Sequence, residues 1–535
     1  MPDSNNESIQ THRAFHCAYP PLILLDLVGL ITGWQFIYTL DDPYIHLALA
    51  KGINSFHYGI NPSEYSAPSS SVLWPFLMAP FASMKGFWLA PLIVNLACLA
   101  GTILVLQRLL LSRFRAGWLA SWVLASFVAF CLNIYGLVFT GMEHSLQVLL
   151  VAIIAASLAE RRSGFLLWGS LFLLPLIRYE GLAISIPVIC YLGLQGPATR
   201  TKALWTGLLL AAALVLFSVF LGSLGLGYLP SSVFAKQSAT TAGSVFGLAR
   251  SMAGSVISNV YSLPTFTVFS LAFLSEFMAF QRSWLRVLML LLAPVVLHLC
   301  LGRNGWFGRY EVSILLYALI ISADLWTENV HNSIQGAGAS APRQVRSFPG
   351  LLKKQALFPL MVIFVIGTRP LWQSTLLTPA AARNIQDQQV QMALIAGKYL
   401  NKPVAVNDLG AVALSSRQYV LDLWGLGSYE ALSLRRDPNA DPRVWIPRLM
   451  ADKKVEHAIV YDSWFPVTPE NWIKVAELKL PGRQITPASD VVAFYATSPG
   501  SAETMSDSIS HYASDHPSEA QMIKTFRGET DRQEM

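Results

Sequence analysis

Two adjacent carboxylates, Asp41 and Asp42, follow directly on the first long apolar run of the chain. Other ionisable residues sit at similar margins. Glu143 and His144 begin a second apolar run, Arg178 and Glu180 lie in a break between two short ones, Lys236 lies in a polar loop, and Arg303 and Arg309 flank a Gly/Trp-rich turn. Charged groups at membrane depth are expensive and persist mainly where they are used. An acid pair with separated cations suits a reaction in which a hydroxyl loses its proton while an anionic leaving group departs. Asp41 is the candidate base and Asp42 its positioning partner; Arg178, Lys236 and Arg309 are the candidate cations for the leaving group. Tyr44, His46, Trp74, Glu143, Glu180 and Tyr310 are candidate substrate contacts. Structural readings compete with several of these. Asp42-Pro43 is a good helix start, with Asp as N-cap and Pro at N1. Glu143 is as well suited to cap a helix as to bind a ligand. Arg303, Arg309, Trp74, Trp306 and Tyr310 suit an interfacial belt. His46 and His57 have no third ligand at a metal-binding spacing, so no metal and no cofactor are expected.

The elements that must hold these groups are membrane helices. Of 535 residues, 53% are hydrophobic and only 13% are charged, and the mean hydropathy is +0.45, outside the soluble range. Apolar runs long enough to cross about 30 Å of hydrocarbon recur over the first 372 positions. They include 20–39, 87–111, 117–140, 203–225 and 356–372. Basic loops at Arg113/Arg115, Arg161/Arg162, Arg200/Lys202, Arg282/Arg286 and Arg343–Lys354 mark the cytoplasmic side. The alternate loops, including the one from 40 to 72, then face outward. Parity makes 71–84 a juxtamembrane or re-entrant helix, and makes 163–177 and 182–195 two short helices meeting at Arg178-Tyr179-Glu180-Gly181. About eleven crossings result, with the 1–19 tail inside, no cleavable signal, and the C-terminus outside. Cytoplasmic loops account for most of the net +6 charge, so no nucleic-acid partner is implied.

After residue 372 the periodicity changes. An amphipathic helix at 384–400 leads into short β-rich runs at 404–406, 419–421 and 457–460, alternating with helical stretches such as 442–453. Residues 373–498 therefore read as a small α/β domain outside the membrane, and the Ser/Asp/Glu/His-rich 499–535 as a disordered tail. All five cysteines, Cys17, Cys98, Cys131, Cys190 and Cys300, lie in or beside apolar segments, so no disulfide framework supports the outer domain.

In order along the chain, Asp41-Asp42-Pro43-Tyr44-Ile45, Asn61-Pro62-Ser63-Glu64 and Ser66 to Trp74 resemble the first outer loop of GT-C glycosyltransferases, most nearly the terminal arabinofuranosyltransferase subgroup. Gly141-Met142-Glu143, Arg178-Tyr179-Glu180-Gly181, Leu229-Pro230-Ser231 through Lys236, Arg309-Tyr310, Asp408-Leu409-Gly410 and Asp422 to Leu426 resemble its later motifs. Tyr179, Ser63 and Ala67-Pro68 depart from that pattern where an acceptor would touch. The resemblance implies a GT-C fold of about eleven transmembrane helices, residues 20–372, with the small outer α/β domain. It implies a glycosyltransferase that moves a sugar, arabinofuranose in that subgroup, from a polyprenyl-phosphate donor to a hydroxyl of a glycan, lipid or protein. The reaction would lie on the outer face of a bacterial cytoplasmic membrane and make cell-envelope glycan. Lys236, Arg309 and Arg178 would then bind the donor phosphate. A polytopic transporter or flippase of lipid-linked sugars shares the hydropathy and the broken helices. The absence of an inverted repeat and the large outer domain weigh against it.

Overall fold

The computed structural model describes residues 20–236, isolated positions between 254 and 270, and residues 284–336, 361–465 and 467–525. The chain forms two compact units, each discontinuous in sequence. One comprises Met1–Ile23, Leu92–Val215 and Ala242–Leu376; the other comprises Leu24–Pro91, Leu216–Thr241 and Leu377–Met535. The expected boundary near 372 is close to the last of these cuts. The expected continuous membrane domain, 20–372, is not one unit, because Leu24–Pro91 belongs with the C-terminal part.

Two described helices, Phe87–Ser112 and Pro197–Ser223, are long and apolar enough to cross a membrane. Leu204, Trp205, Leu208 and Leu209 of the latter are all more than half exposed, a surface suited to hydrocarbon rather than water. Six shorter apolar helices accompany them: Pro20–Ile31, Trp118–Cys131, His144–Ala159, Phe165–Ile177, Tyr179–Leu194 and Trp284–Cys300. The described residues therefore do not supply eleven full-length spans, and local backbone explains two of the shortfalls. The run at 20–39 stops being helical at Ile31, and Gly33 and Trp34 turn with φ of 65° and 64°. The run at 117–140 breaks after Cys131 at Asn133, whose φ is 58°. The Asn133 side chain donates to the Phe307 carbonyl at 2.9 Å and accepts from Thr375 Oγ1 at 2.9 Å, which fixes the break. The two short helices expected around Arg178 are present as Phe165–Ile177 and Leu182–Leu194, joined by a 3-10 turn at Tyr179–Gly181. In the 71–84 segment only Trp74–Met78 and a 3-10 turn at Ala79–Phe81 are helical, too short to cross.

In the other unit the α/β pattern is realised as a six-stranded mixed sheet. Its strands are β1 (Val404–Val406), β2 (Val420–Asp422), β3 (His457–Val460), β4 (Ile473–Lys479), β5 (Val491–Ala496) and β6 (Ile523–Thr525), in the order β2-β1-β3-β5-β4-β6. β1 runs parallel to both β2 and β3, with Val404 opposite Val420 and His457; the other pairs are antiparallel. Helix Gly410–Ser415 connects β1 to β2, and the connection from β2 to β3 contains helix Pro442–Asp452, the crossover that parallel strands require. Every residue of β1, β2 and β3 is buried, as parallel strands covered on both faces must be. Trp445, Ile446 and Leu449 of the crossover helix pack on Ala405, Leu421 and Val460.

Residues 499–525 are ordered, contrary to their composition. Helix Pro499–Asp515 starts with a reciprocal capping box: Ser498 Oγ accepts from Ser501 N, and Ser501 Oγ accepts from Ser498 N. It buries Met505, Ile509 and Tyr512 along one face, and β6 then adds to the sheet edge beside β4.

Candidate functional site

The strand order decides where polar groups gather. From β1 the chain moves to β2 on one side and then to β3 on the other, so the crevice beyond the carboxyl ends of β1 and β3 is a topological switch point, where open α/β sheets bind ligands. Asp408 lies just past the end of β1, Asp422 is the last residue of β2, and Tyr461 directly follows β3. Asp408 Oδ2 accepts hydrogen bonds from Gln389 Nε2 and Tyr461 Oη, each at 2.8 Å. Gln389 and its neighbour Gln388 reach the same tyrosine: Gln389 Nε2 donates to Tyr461 Oη at 2.8 Å, and Gln388 Oε1 lies 2.6 Å from that oxygen, competing with Asp408 for its single proton. In a regular helix consecutive residues point about 100° apart. Here Gln386–Val390 is a π-helical turn, and the widened turn lets both amides serve one partner.

Into this crevice the first loop inserts Asp41. Its Oδ2 accepts from Gly410 N at 2.5 Å and its Oδ1 from Ala411 N at 2.8 Å. The Asp41 carboxyl thus satisfies the first two orphan amides of helix Gly410–Ser415. At the other end of that helix Lys51 Nζ donates to the Leu414 carbonyl at 3.2 Å, the complementary charge for a C-terminus. Gly410 has to be glycine, because a Cβ there would lie 2.1 Å from the Asp41 carbonyl oxygen and 2.6 Å from its Oδ2. Asn61 extends the docking by pairing with the outer edge of β2: its Nδ2 donates to the Val420 carbonyl and its Oδ1 accepts from Val420 N, both at 2.9 Å. Glu64 accepts from Tyr419 Oη at 2.7 Å and pairs with Lys453 at 3.1 Å.

The Asp41 and Asp408 carboxyls are in hydrogen-bond contact. Burial raises the Asp41 carboxyl well above the ordinary range and the Asp408 charge raises it further, against the pull of the two backbone amides. Asp408 is raised by burial and by Asp42, while Gln389 and Tyr461 hold it down. Asp408 and Asp42 are half-buried, whereas Asp41 is buried. Asp422 is lifted by burial to about 6 although it accepts from Trp424 N at 2.8 Å and Gly427 N at 2.7 Å.

A second polar cluster lies in the other unit, at the Tyr179–Gly181 turn. Arg178 grips Glu180 with two hydrogen bonds, Nε to Oε2 at 3.1 Å and Nη2 to Oε1 at 2.7 Å, and gives Nη1 to Glu143 Oε1 at 2.7 Å. Its guanidinium lies 5.2 Å from the Tyr310 ring centre, and that of Arg309 lies 4.9 Å away, with Arg309 Nη2 donating to Tyr310 Oη at 2.9 Å. His144 packs edge-on against the same ring at 5.7 Å. Two arginines and two glutamates thus form a charge-balanced set, buried except for the half-buried Glu180.

Several expectations change. The helix starts at Asp42 with Asp41, not Asp42, in the N-cap position, and the Asp41 side chain caps helix Gly410–Ser415 instead of its own. Glu143 occupies an N-cap position, but its side chain makes no cap and pairs with Arg178. Arg178 is engaged by two carboxylates, which favours a fixed structural cation over a phosphate ligand. Trp74 is fully buried rather than at an interface or lining a wall. Tyr44 accepts from Tyr38 N at 3.2 Å, and buried His46 pairs through Nδ1 with Ser69 Oγ at 3.1 Å. Trp306 is half exposed. Lys236 ends helix Ser231–Lys236, and its side chain lies outside the described residues, as does Cys17. Asp41, Asp42, Tyr44, His46, Trp74 and Lys236 belong to the unit with the sheet; Glu143, Arg178, Glu180, Arg309 and Tyr310 belong to the other. Gln389, Asp408 and Tyr461 were not among the expected site residues. The signal for Asp408 was an Asp-x-Gly directly after a β-rich run.

A family described as a domain of unknown function (DUF8728) matches residues 383–495. No curated protein matches the chain. Among solved structures it is similar to the crystal structure of the Archaeoglobus fulgidus oligosaccharyltransferase complex with Zn and sulfate, with a TM-score of 0.45 and 13% identity over 89% of this chain and 73% of that one.

Proposed function

We propose that this protein is a membrane glycosyltransferase of the GT-C type that moves a sugar from a polyprenyl-phosphate donor to a hydroxyl of an envelope glycan, lipid or protein. The observation that carries the reading is the insertion of the first-loop Asp41-Asp42 pair into the switch-point crevice, beside a third carboxylate. Such a cluster, with pKa values raised by burial and mutual repulsion, is suited to take a proton from an acceptor hydroxyl. The acceptor oxygen then bonds to the sugar's anomeric carbon as the carbon–oxygen bond to phosphate breaks and the electron pair leaves on the phosphate. A cation near that phosphate helps both binding and departure. Lys236 is the proposed donor of that charge. Arg178, tied to two glutamates, is proposed to position Tyr310 and the Tyr179–Gly181 turn.

The ordered sequence motifs support the donor class, with arabinofuranose the sugar that the resembled subgroup implies, and the basic-loop asymmetry supports a reaction on the outer face. Reconstitution of the full chain in proteoliposomes with a polyprenyl-phosphate sugar and a hydroxyl acceptor tests the reading. Sugar transfer is expected, with Lys236→Met raising the donor KM while leaving the acceptor KM unchanged. Translocation of the lipid-linked sugar without transfer would overturn it in favour of a flippase.

A further inference from the structure

We propose that Asp408, supplied by the C-terminal α/β region, is the carboxylate that takes the acceptor's proton, with Asp41 fixed beside it as the residue that tunes it. The inference rests on the glycosyltransferase reading and deepens it. Four observations carry it. Both Asp41 oxygens are committed to backbone amides, at 2.5 Å and 2.8 Å, and the side chain is buried. Asp408 is half-buried and stands at the carboxyl end of β1, on the rim of the switch-point crevice. Its two side-chain donors, Gln389 Nε2 and Tyr461 Oη, converge on Oδ2, which leaves Oδ1 lone pairs for a further hydrogen. The two carboxyls touch, so they hold one proton between them more readily than none, as like charges at contact must.

The assignment follows from access. The group that meets an acceptor has to present a lone pair from a partly open position, and in this pair Asp408 is half-buried while Asp41 is buried. The shared proton rests on Asp41 while Asp408 carries the charge. The acceptor O–H proton moves to Asp408 Oδ1, the acceptor oxygen bonds to the anomeric carbon, and the phosphate departs with the electron pair of the broken bond. Asp408 then returns its proton to water. Besides each other, the groups acting on the pair are the Gly410 and Ala411 amides on Asp41, and Gln389, Tyr461 and Asp42 on Asp408.

The test uses the full chain in proteoliposomes. Asp408→Asn keeps an acceptor for Gln389 and Tyr461 but cannot take a proton. Turnover should fall by about 10²-fold or more with donor and acceptor KM little changed, and formate added to Asp408→Ala should restore part of it. Tyr461→Phe removes one donor to the Asp408 carboxylate, which raises its pKa, so the acid limb of the pH–rate profile should move to higher pH while the plateau is largely kept. A folded Asp408→Asn enzyme with near-normal turnover would overturn the proposal. So would an acid limb unmoved in Tyr461→Phe together with no formate rescue. Transfer by the wild type with either of those results sinks only the Asp408 assignment, whereas no transfer by the wild type sinks the glycosyltransferase reading itself.

Discussion

Replacing Gly410 by alanine places one methyl group where the first loop meets the sheet unit, and the structure fixes what that methyl would strike. The new Cβ would sit 2.1 Å from the Asp41 carbonyl oxygen, 2.6 Å from Oδ2 and 2.8 Å from Cγ. Two of these atoms belong to a carboxylate gripped by the same helix, and the third is backbone, so no flexible side-chain end can swing aside. Helix Gly410–Ser415 has to move away from Asp41, and both amide-to-carboxylate bonds lengthen. A hydrogen bond to a neutral group is worth ~0.5–1.5 kcal/mol, so the two amide bonds to the protonated Asp41 carboxyl together contribute ~1–3 kcal/mol. Alanine in a helix recovers ~0.5–1 kcal/mol relative to glycine. The net loss expected for Gly410→Ala is therefore ~1–2 kcal/mol. Gly500→Ala is the control, because the Cβ position at Gly500 meets open space within helix Pro499–Asp515, and it should be neutral to slightly stabilising. Denaturant unfolding of the full chain in detergent, followed by far-ultraviolet circular dichroism, measures both, and sugar transfer in proteoliposomes reports on the crevice. A Gly410→Ala chain as stable as the wild type and equally active would refute the inference that the Asp41 clamp holds this unit together.

Three further outcomes are expected. Asp422, lifted by burial to about 6, lies above its unfolded value of roughly 4, so between those values the folded chain binds the extra proton and stability falls as pH rises. Asp41 and Asp408 act in the same direction. The Asp422 contribution is about 3 kcal/mol, and denaturation midpoints from pH 4 to 7 should fall in the wild type and less steeply in Asp422→Asn, where Asp41 and Asp408 remain. Arg178→Met leaves Glu143 and Glu180 buried without their partner and should lower the unfolding free energy by ~3–5 kcal/mol; Glu143→Gln added to it should recover part of the loss, and equal stability of wild type and single variant would contradict the charge-balanced reading. Ser498→Ala removes one half of the capping box and should cost ~1 kcal/mol, read as faster amide hydrogen exchange across 499–515 with the remainder of the chain unchanged.

Elements whose signals are local were readable in the chain itself. Val404–Val406 and His457–Val460 appear as β-rich runs because parallel strands buried on both faces need continuous apolar residues. The break at Arg178–Gly181 is marked by charge within apolar sequence. The disorder expected after Ser498 rested on average composition and overlooked spacing: Met505, Ile509 and Tyr512 recur at four and three residues and form the buried face of a helix. Asp42-Pro43 satisfied the helix-start rule, yet the helix begins one residue away from the cap that rule assigned, and Asp41 is turned to another helix by a partner far along the chain. Asp408 carries a short-range signal in its Asp-x-Gly, but its convergence with Gln389 and Tyr461 carries none, because single-sequence patterns do not encode strand order. Glu143 and Arg178 were visible as unusual charges, but not as each other's partners.

The clamp between Asp41 and Gly410 joins residues 369 positions apart, and this separation sets a timetable for biogenesis. At ~5–20 residues per second, a ribosome that has just made Asp41 needs roughly 20–70 s to deliver the amides that receive it. During that interval the 40–72 segment has neither its helix partner nor the edge of β2 that Asn61 pairs with, so its buried side chains remain open to chaperones and proteases. The nascent chain should therefore pass from protease-sensitive to protease-resistant at this loop only after β2 is complete, and a chain arrested before Gly410 should be degraded from its N-terminal loop rather than accumulate as a folded half.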